Sequence, residues 1–444
     1  MISFSGLATG LDTSTLISQL VKAESAPIER LAAKQTLIDA KSKKLTSLRT
    51  KLDDLRNAAL ALDSRKEALP VTLTSSDTTR VRGTVQGGVS PTRFDLEVIS
   101  LAKGARMYSS SFASDSTTGL FGTGQLEITT SSGTSTIAVD SSDTLDSVRE
   151  KIEDLDLPLS VNILNDGSGY RLQIVGDGVG AANAVTVNEV GTSLGLSTPA
   201  NIVSSASDAS FELDGIPMTR GSNTFENAFP GVTLELLTPS PTGQKTSIEI
   251  GHDPAALETA VKKVVDAFNA VNSFVQAEST WTGQQKPLDS LSGDSTLRSI
   301  QSRLRGVLTA PVAGTSGAHT TLASLGVSLQ RDGSLSLDTA KLRSALAADP
   351  NGVAKVLGTE GTGAMALLAE QADYFTDGSE GVLSQRLTSM KNERRGLDDR
   401  IERMQARLDK YEAQLVQQYA KLEQLVSGLQ SQSSQLSAAM SGLQ

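Results

Sequence analysis

Two runs in this chain have the residue types and spacing of chemical sites. Gly191-Thr192-Ser193-Leu194-Gly195 has the Gly-x-Ser-x-Gly spacing of a serine nucleophile. That chemistry needs a strand that turns sharply into a helix, followed later in the chain by an acid and a histidine. Here the run continues Leu196-Ser197-Thr198-Pro199, which cannot open a long helix. The only histidines are His252 and His319, each close to a glycine. The second run, Gly176-Asp177-Gly178-Val179-Gly180-Ala181, imitates a dinucleotide-binding turn. Such a turn must deliver the pyrophosphate to a helix N-terminus. Ala184-Val185-Thr186-Val187 reads instead as a strand, so a Gly-rich hairpin is expected. Two distant histidines and no cysteine argue against a transition-metal site. Glu153, Asp154 and Asp156 lack the regularly spaced oxygen ligands of a calcium loop and read as a solvated helix end. Asp398 and Asp399 beside Arg394, Arg395, Arg400 and Arg403 read as exposed helix pairs, each worth under about 0.5 kcal/mol. No catalytic, cofactor-binding or metal-binding residue is expected.

The elements that would carry such sites point elsewhere. The chain has 444 residues, enough for several domains, with 38% hydrophobic but only 4% aromatic residues and a single tryptophan, Trp281. Thin layers or a long helical stalk suit that composition better than a large aromatic core. The net charge of −10 is unevenly spread. Between Glu67 and Asp253 there are 23 acidic and 10 basic residues, while the flanks together carry the remaining +3. Basic patches interleaved with aromatics are missing, which argues against nucleic-acid binding. Without cysteine, disulfides and thiolate sites are excluded. The start of the chain lacks the basic-then-apolar pattern of a cleaved signal peptide, and apolar runs such as Ala364 to Ala369 are too short to span a membrane.

Helical periodicity dominates both ends. Leu7, Leu11, Leu16 and Leu20 have helix-compatible spacing, with Asp12, Thr13 and Ser14 as cap candidates. Pro27 is expected to break or restart that helix. A seven-residue rhythm follows: Leu31, Ile38, Leu45, Leu52 and Ala59 at one position, Leu48, Leu55 and Leu62 at the other. This is the signature of a coiled-coil seam, weakened early by Lys34 and Lys41. From about residue 71 to 250 the texture changes to Ser, Thr, Gly and β-branched residues. Strands are expected at Arg93 to Ile99, Ser160 to Leu164, Tyr170 to Val175 and Ala184 to Val190, with a hairpin turn at Asn165-Asp166-Gly167. One helix interrupts, Thr144 to Leu155. Helices resume at Asp253-Pro254, where Leu257, Val261, Val264, Phe268, Val271 and Val275 form another seam. Leu325-Gly326-Val327 and Asp332-Gly333-Ser334-Leu335 mark a further hairpin.

The last helix carries the strongest periodicity. Ile401, Leu408, Leu415, Leu422, Leu429, Leu436 and Leu443 recur every seven residues; Met404, Tyr411, Gln418, Leu425, Gln432 and Ala439 hold the softer alternate position. No charged side chain lies beyond Glu423, and the first 11 residues are uncharged too. Such ends bury little surface alone and are expected to order when packed against neighbouring molecules. A helix with one apolar seam must bury it, so the N- and C-terminal seams are natural mates. The fold expected is α+β multidomain: a helical coiled-coil stalk formed by both chain ends, with an inserted β-rich head of two small domains. The boundaries read as terminal helices 1–30 with 410–444, disordered until assembled; a stalk 31–69 with 254–409; a head domain 70–108 with 205–253; and a second, inserted head domain 109–204. Stalk pairing is assigned to Ile38, Leu45, Leu48, Leu52, Leu55, Val264, Phe268, Val271, Ile401, Leu408 and Leu415. Assembly contacts are assigned to Leu7, Leu11, Leu16, Leu20, Leu429, Leu436 and Leu443.

Phe4-Ser5-Gly6-Leu7-Ala8-Thr9-Gly10-Leu11-Asp12-Thr13, then Leu16-Ile17-Ser18-Gln19-Leu20 and Glu24-Ser25-Ala26-Pro27-Ile28-Glu29-Arg30-Leu31, resembles the opening of the flagellar filament cap proteins, the hook-associated protein 2 family. The run from Leu325 to Leu342, with Asp332-Gly333-Ser334-Leu335-Ser336-Leu337-Asp338, is similar to a second family stretch. Thr144 to Val187 resembles the β insert of flagellin-related proteins, and Asp214-Gly215 to Leu234 also fits. The likeness weakens in the head, between about Ser109 and Ser207. The resemblance implies an assembly protein and not an enzyme. It implies export through the flagellar type III channel without a cleaved signal, and a ring of identical copies at the extracellular filament tip. The head would form a plate, and the helical legs would reach into gaps between the uppermost flagellin subunits. Other implied partners are hook–filament junction proteins and an export chaperone, with no nucleic acid and no membrane. A coiled-coil surface adhesin with a glycan-binding β head is the alternative; an aromatic-lined pocket in the head would favour it.

Overall fold

The computed structural model describes residues 12–279 and 287–441, with side chains described through residue 438. The described helices are α1 (Thr13–Leu60), α2 (Arg65–Ala68), α3 (Leu145–Glu153), α4 (Pro254–Ser279), α5 (Ser295–Thr309), α6 (Thr339–Ala348), α7 (Pro350–Leu357), α8 (Ala364–Thr376) and α9 (Val382–Ser441). The described strands are β1 (Val71–Ser75), β2 (Val81–Val85), β3 (Thr92–Ser100), β4 (Gly104–Tyr108), β5 (Gly122–Thr130), β6 (Gly133–Val139), β7 (Leu159–Asn165), β8 (Tyr170–Val179), β9 (Thr186–Thr192), β10 (Ile202–Ser204), β11 (Ala209–Leu213), β12 (Ile216–Arg220), β13 (Thr224–Glu226), β14 (Val232–Leu236), β15 (Thr246–His252), β16 (Val327–Leu329) and β17 (Leu335–Leu337). They fall into two compact units. One joins residues 1–68 with 258–444, and the other is Leu69–Leu257.

In the helical unit, α1 begins where Asp12 accepts a hydrogen bond from the Thr15 backbone N at 3.1 Å. Bonds from Thr15 and Ser14 lower the Asp12 pKa to about 2. The expected break at Pro27 does not occur: Pro27 lies inside α1, which runs on to Leu60. Pro27 is exposed, so water can solvate the carbonyl its missing N–H leaves free. Bonds to α9 also hold the helix on both sides of it. Leu45, Leu48, Leu52, Leu55, Ala59 and Leu62 are fully buried. They are buried because α1 packs against both α8 and α9. Helix α8 contributes Met365, Leu368, Ala372 and Phe375 to the buried set. The β16–β17 hairpin pairs Val327 with Leu337. It is pinned to α4 by Asn269, whose amide donates to the Leu335 carbonyl at 2.9 Å while its oxygen accepts from the Leu335 N at 2.7 Å. Gly333 sits at φ +78°, a left-handed backbone conformation that residues with a side chain rarely adopt. That is why the Asp332-Gly333-Ser334 turn needs its glycine.

The β unit is antiparallel throughout and has two cores. A five-stranded sheet ordered β1-β15-β3-β11-β12 and a three-stranded sheet ordered β13-β14-β2 surround Phe94, Leu96, Phe211, Phe225, Leu234 and Ile250. The alternation expected at Arg93 to Ile99 is seen in β3, which buries Phe94, Leu96 and Val98. A four-stranded sheet ordered β10-β4-β8-β7, a three-stranded sheet ordered β6-β5-β9 and α3 surround the second core, with Leu126, Ile128, Leu172 and Ile174. Helix α3 starts in a capping box between Thr144 and Ser147 and buries Leu145, Val148 and Ile152. Asn165 opposes Tyr170 across the expected β7–β8 turn.

Candidate assembly interface

The chemical motifs resolve into backbone geometry. The Ser193 hydroxyl donates to the Phe121 carbonyl at 3.2 Å. Gly176 to Val179 lie within β8, and Gly180 turns the chain into a short 3₁₀ segment, Ala181–Asn183. Arg149 pairs with Asp146, Glu150 and Glu153, an ordinary solvated helix face. Among the described residues, no three His, Asp or Glu side chains converge as metal ligands. No described helix is long and apolar enough to cross a membrane.

The organised feature of the helical unit is the antiparallel pairing of α1 with α9. Arg394 pairs with Asp39 at 2.9 Å, Lys34 with Glu393 at 2.8 Å and Arg407 with Glu24 at 3.3 Å, and Thr13 donates to Glu423 at 3.4 Å. As position falls along α1 from Asp39 to Thr13, its partner climbs α9 from Arg394 to Glu423. These charge pairs are exposed and contribute little energy, but they fix the register. The arginine–aspartate cluster therefore does more than pair along one helix, because Arg394 bridges Asp398 on α9 and Asp39 on α1.

The assigned stalk residues divide by depth. Ile38, Leu45, Leu48, Leu52 and Leu55 are buried on α1, and Leu408 and Leu415 on α9; Ile401 is half-buried. Val264, Phe268 and Val271 are buried along α4, whose Glu278 reaches α1 through Lys44 at 3.0 Å. Burial works against the Lys44 charge, yet Glu278 and Asp289 overcome it and raise its pKa. The assigned assembly residues lie at the other extreme. Leu16 and Leu20 are 38% and 41% exposed, and Leu429 and Leu436 are 56% and 66% exposed. Leu7, Leu11 and Leu443 lie outside the described residues. Between these extremes a cleft of about 360 Å³ opens beside the pair, lined by Glu24, Ile28, Met404, Leu408 and Tyr411.

The reason for the division is geometric. The Leu repeat is buried where α1 lies alongside, at Leu408 and Leu415; α1 begins at Thr13, which meets Glu423, so Leu429 and Leu436 lie past its described start. Two contributors were missed in the sequence. Leu397 of α9, one heptad before Met404 at the alternate position, is buried, and α8, read only as a short apolar run, is a principal partner of α1. The signal for α8 was present: Ala364, Leu368, Ala372 and Thr376 step by four residues.

A family model described as the flagellar hook-associated protein 2 C-terminus matches residues 206–431, more than half of the chain. The chain belongs to the flagellar hook-associated protein 2 family. The model of this family's N-terminus matches residues 9–105. The A-type flagellar hook-associated protein 2 of Pseudomonas aeruginosa is 27% identical over 476 residues, covering 99% of this chain and 98% of the relative. The flagellar hook-associated protein 2 of Escherichia coli K12 is 27% identical over 384 residues, 81% of each chain. The crystal structure of the three-domain flagellar cap protein fragment from Escherichia coli shares the fold, with a TM-score of 0.62 and 24% identity, covering 78% of this chain and 99% of that one. The fold is thus mixed α and β over several domains. The family is structural, and the adhesin alternative finds no support among these relatives.

Proposed function

We infer that this chain caps the distal end of the bacterial flagellar filament and promotes the folding and insertion of exported flagellin. What carries the reading is full-length kinship with cap proteins together with paired helical ends that leave a Leu row uncovered. The protein acts by contact geometry and has no reaction to catalyse. Copies form a ring at the extracellular tip, after export by the flagellar type III route without a cleaved signal. The ring contacts flagellin and meets hook–filament junction proteins before the filament grows; an export chaperone holds the chain beforehand. The helical seams through Leu45, Leu48, Leu52, Leu408 and Leu415 form a coiled-coil stalk. The β unit divides into two domains, and the expected boundary at 108/109 moves back to about residue 103 because β4 pairs with β8 and buries Ala105 and Met107 in the inserted core. Leu7, Leu11, Leu16, Leu20, Leu429, Leu436 and Leu443 take assembly contacts, and segments 1–30 and 410–444 order fully only in the ring.

The test is deletion of the gene. Hooks should remain, and flagellin should be shed into the medium as monomer. Normal filaments in the deletion strain would overturn the assignment.

A further inference from the structure

The two cores of the β unit are joined by only two chain segments. Residues 101–103 lead from β3 to β4, and residues 205–208 lead from β10 back to β11. Lys103 and Ser207 exchange both backbone hydrogen bonds, at 2.9 and 3.1 Å. The pairing stays in step through the crossing: Ser100 opposes Ser210, Lys103 opposes Ser207, and Arg106 opposes Ser204. The neck is therefore two short antiparallel segments held together by this one isolated bridge, with register shifts on either side, between Ser210 and Phe211 and between Ile202 and Ser204. A lone ribbon twists more than a wide sheet and is marginal by itself. Leu101 and Ala102 pack into one core and Ala206 against the other, so the apolar contacts of the neck go to two separate cores and not across the ribbon.

Polar contacts brace the ribbon from both sides. Asn223 accepts from the Ala102 N at 2.7 Å and donates to its carbonyl at 3.0 Å. From the inserted core, the Gly180 N donates to the Lys103 carbonyl at 3.1 Å, and the Ala181 N donates to Asp208 Oδ1 at 2.6 Å. Gly180, at φ +94°, lies against the backbone of Gly221, and a Cβ there would collide with the Gly221 carbonyl oxygen. The Gly180-Ala181 turn thus reaches across to the loop and strand start that support the other core.

We propose that the neck is a hinge, latched by the Gly180-Ala181 turn against Asp208 and Gly221, and that this latch fixes the direction in which the inserted core points. Each core keeps its own apolar set, so opening the latch changes orientation without unfolding either one. The absence of cysteine allows a direct test in the full chain. Spin labels at Ser132→Cys and Thr242→Cys, both exposed and on opposite sides of the neck, report the distance between the cores by pulsed electron resonance. The otherwise unaltered protein should give one narrow distribution. Asp208→Ala should broaden it, Gly180→Ala should displace its centre, and Asp208→Asn, which keeps the oxygen acceptor, should leave it narrow. Far-ultraviolet circular dichroism should be unchanged in all three. A broad distribution in the unaltered protein, or distributions in Asp208→Ala and Gly180→Ala that match that of the unaltered protein, would overturn the latch.

Discussion

Replacing Leu429 and Leu436 together with alanine separates folding from assembly. Full burial of a leucine side chain contributes roughly 1.5–3 kcal/mol. Both residues keep more than half of their surface exposed, so roughly 1–2 kcal/mol per residue is still available to a partner. Losing both removes roughly 2–4 kcal/mol from each contact that uses them, a 30- to 1,000-fold weakening at about 1.4 kcal/mol per tenfold. Stability of the single chain should change by less than about 0.5 kcal/mol, as for an ordinary surface substitution. The contrasting variant is Leu52→Ala. Leu52 is fully buried on α1, and its loss should cost about 2.7–5 kcal/mol through lost transfer energy and the cavity left behind. Urea unfolding followed at 222 nm measures both effects on the helices. Complementation of a deletion strain on soft agar, with flagellin assayed in the supernatant, measures assembly. The double variant should unfold normally and fail to swim. If it instead unfolds at clearly lower urea, or swims with full-length filaments, the exposed Leu row is not an assembly surface.

Three other outcomes follow from the same packing. Leu48→Asp with Leu52→Asp places unpaired charge in the α1 seam and should abolish most of the helical signal, while the β unit retains its near-native thermal transition. Burial and the neighbouring Glu67 and Glu360 raise the pKa of Asp63, so the fold favours its neutral form. That stability is present below the ordinary carboxylate range and lost as pH rises through the raised value; Asp63→Asn should therefore raise the melting temperature at pH 7 but not near pH 4. Asp377 accepts from the backbone of Glu380 and Ser379 at the entry to α9, which lowers its pKa to about 2. Its contribution is present above the ordinary value of 3.8 and lost as pH falls toward about 2, so Asp377→Ala should flatten the acid limb of a melting-temperature profile between those limits.

Much of the helical seam was legible because burial on a helix obeys a period that the sequence states outright. Leu45, Leu48, Leu52 and Leu55 stand at heptad positions, and all four are buried. Strands β3, β7 and β8 were legible through alternation, as was the turn at Asn165-Asp166-Gly167. Pro27 misled because a proline's cost depends on whether the freed carbonyl meets water and whether neighbours hold the helix, neither of which is local information. Helix α8 was missed because its alanine-rich face carries a weak hydrophobic signal, yet its small residues suit close packing on α1. The pinning of β17 by Asn269 and the in-step neck at Lys103 and Ser207 both join residues far apart in the chain, where no periodicity points. For the assembly surface, periodicity marked the Leu row but could not show where α1 ceases to cover it. That depends on the register of the pair, which sets Thr13 at the start of α1 against Glu423 and leaves Leu429 and Leu436 beyond it.

The most direct test of the capping account is to see where the protein resides on a working flagellum. A short epitope in the β5–β6 turn, at the exposed residues Ser131 and Ser132, would be detected by gold-labelled antibody under the electron microscope, in cells shown to swim. The account predicts one cluster of gold at the distal end of each filament, persisting as the filament lengthens. Gold spread along the filament shaft, or confined to the hook or cell body, would contradict it.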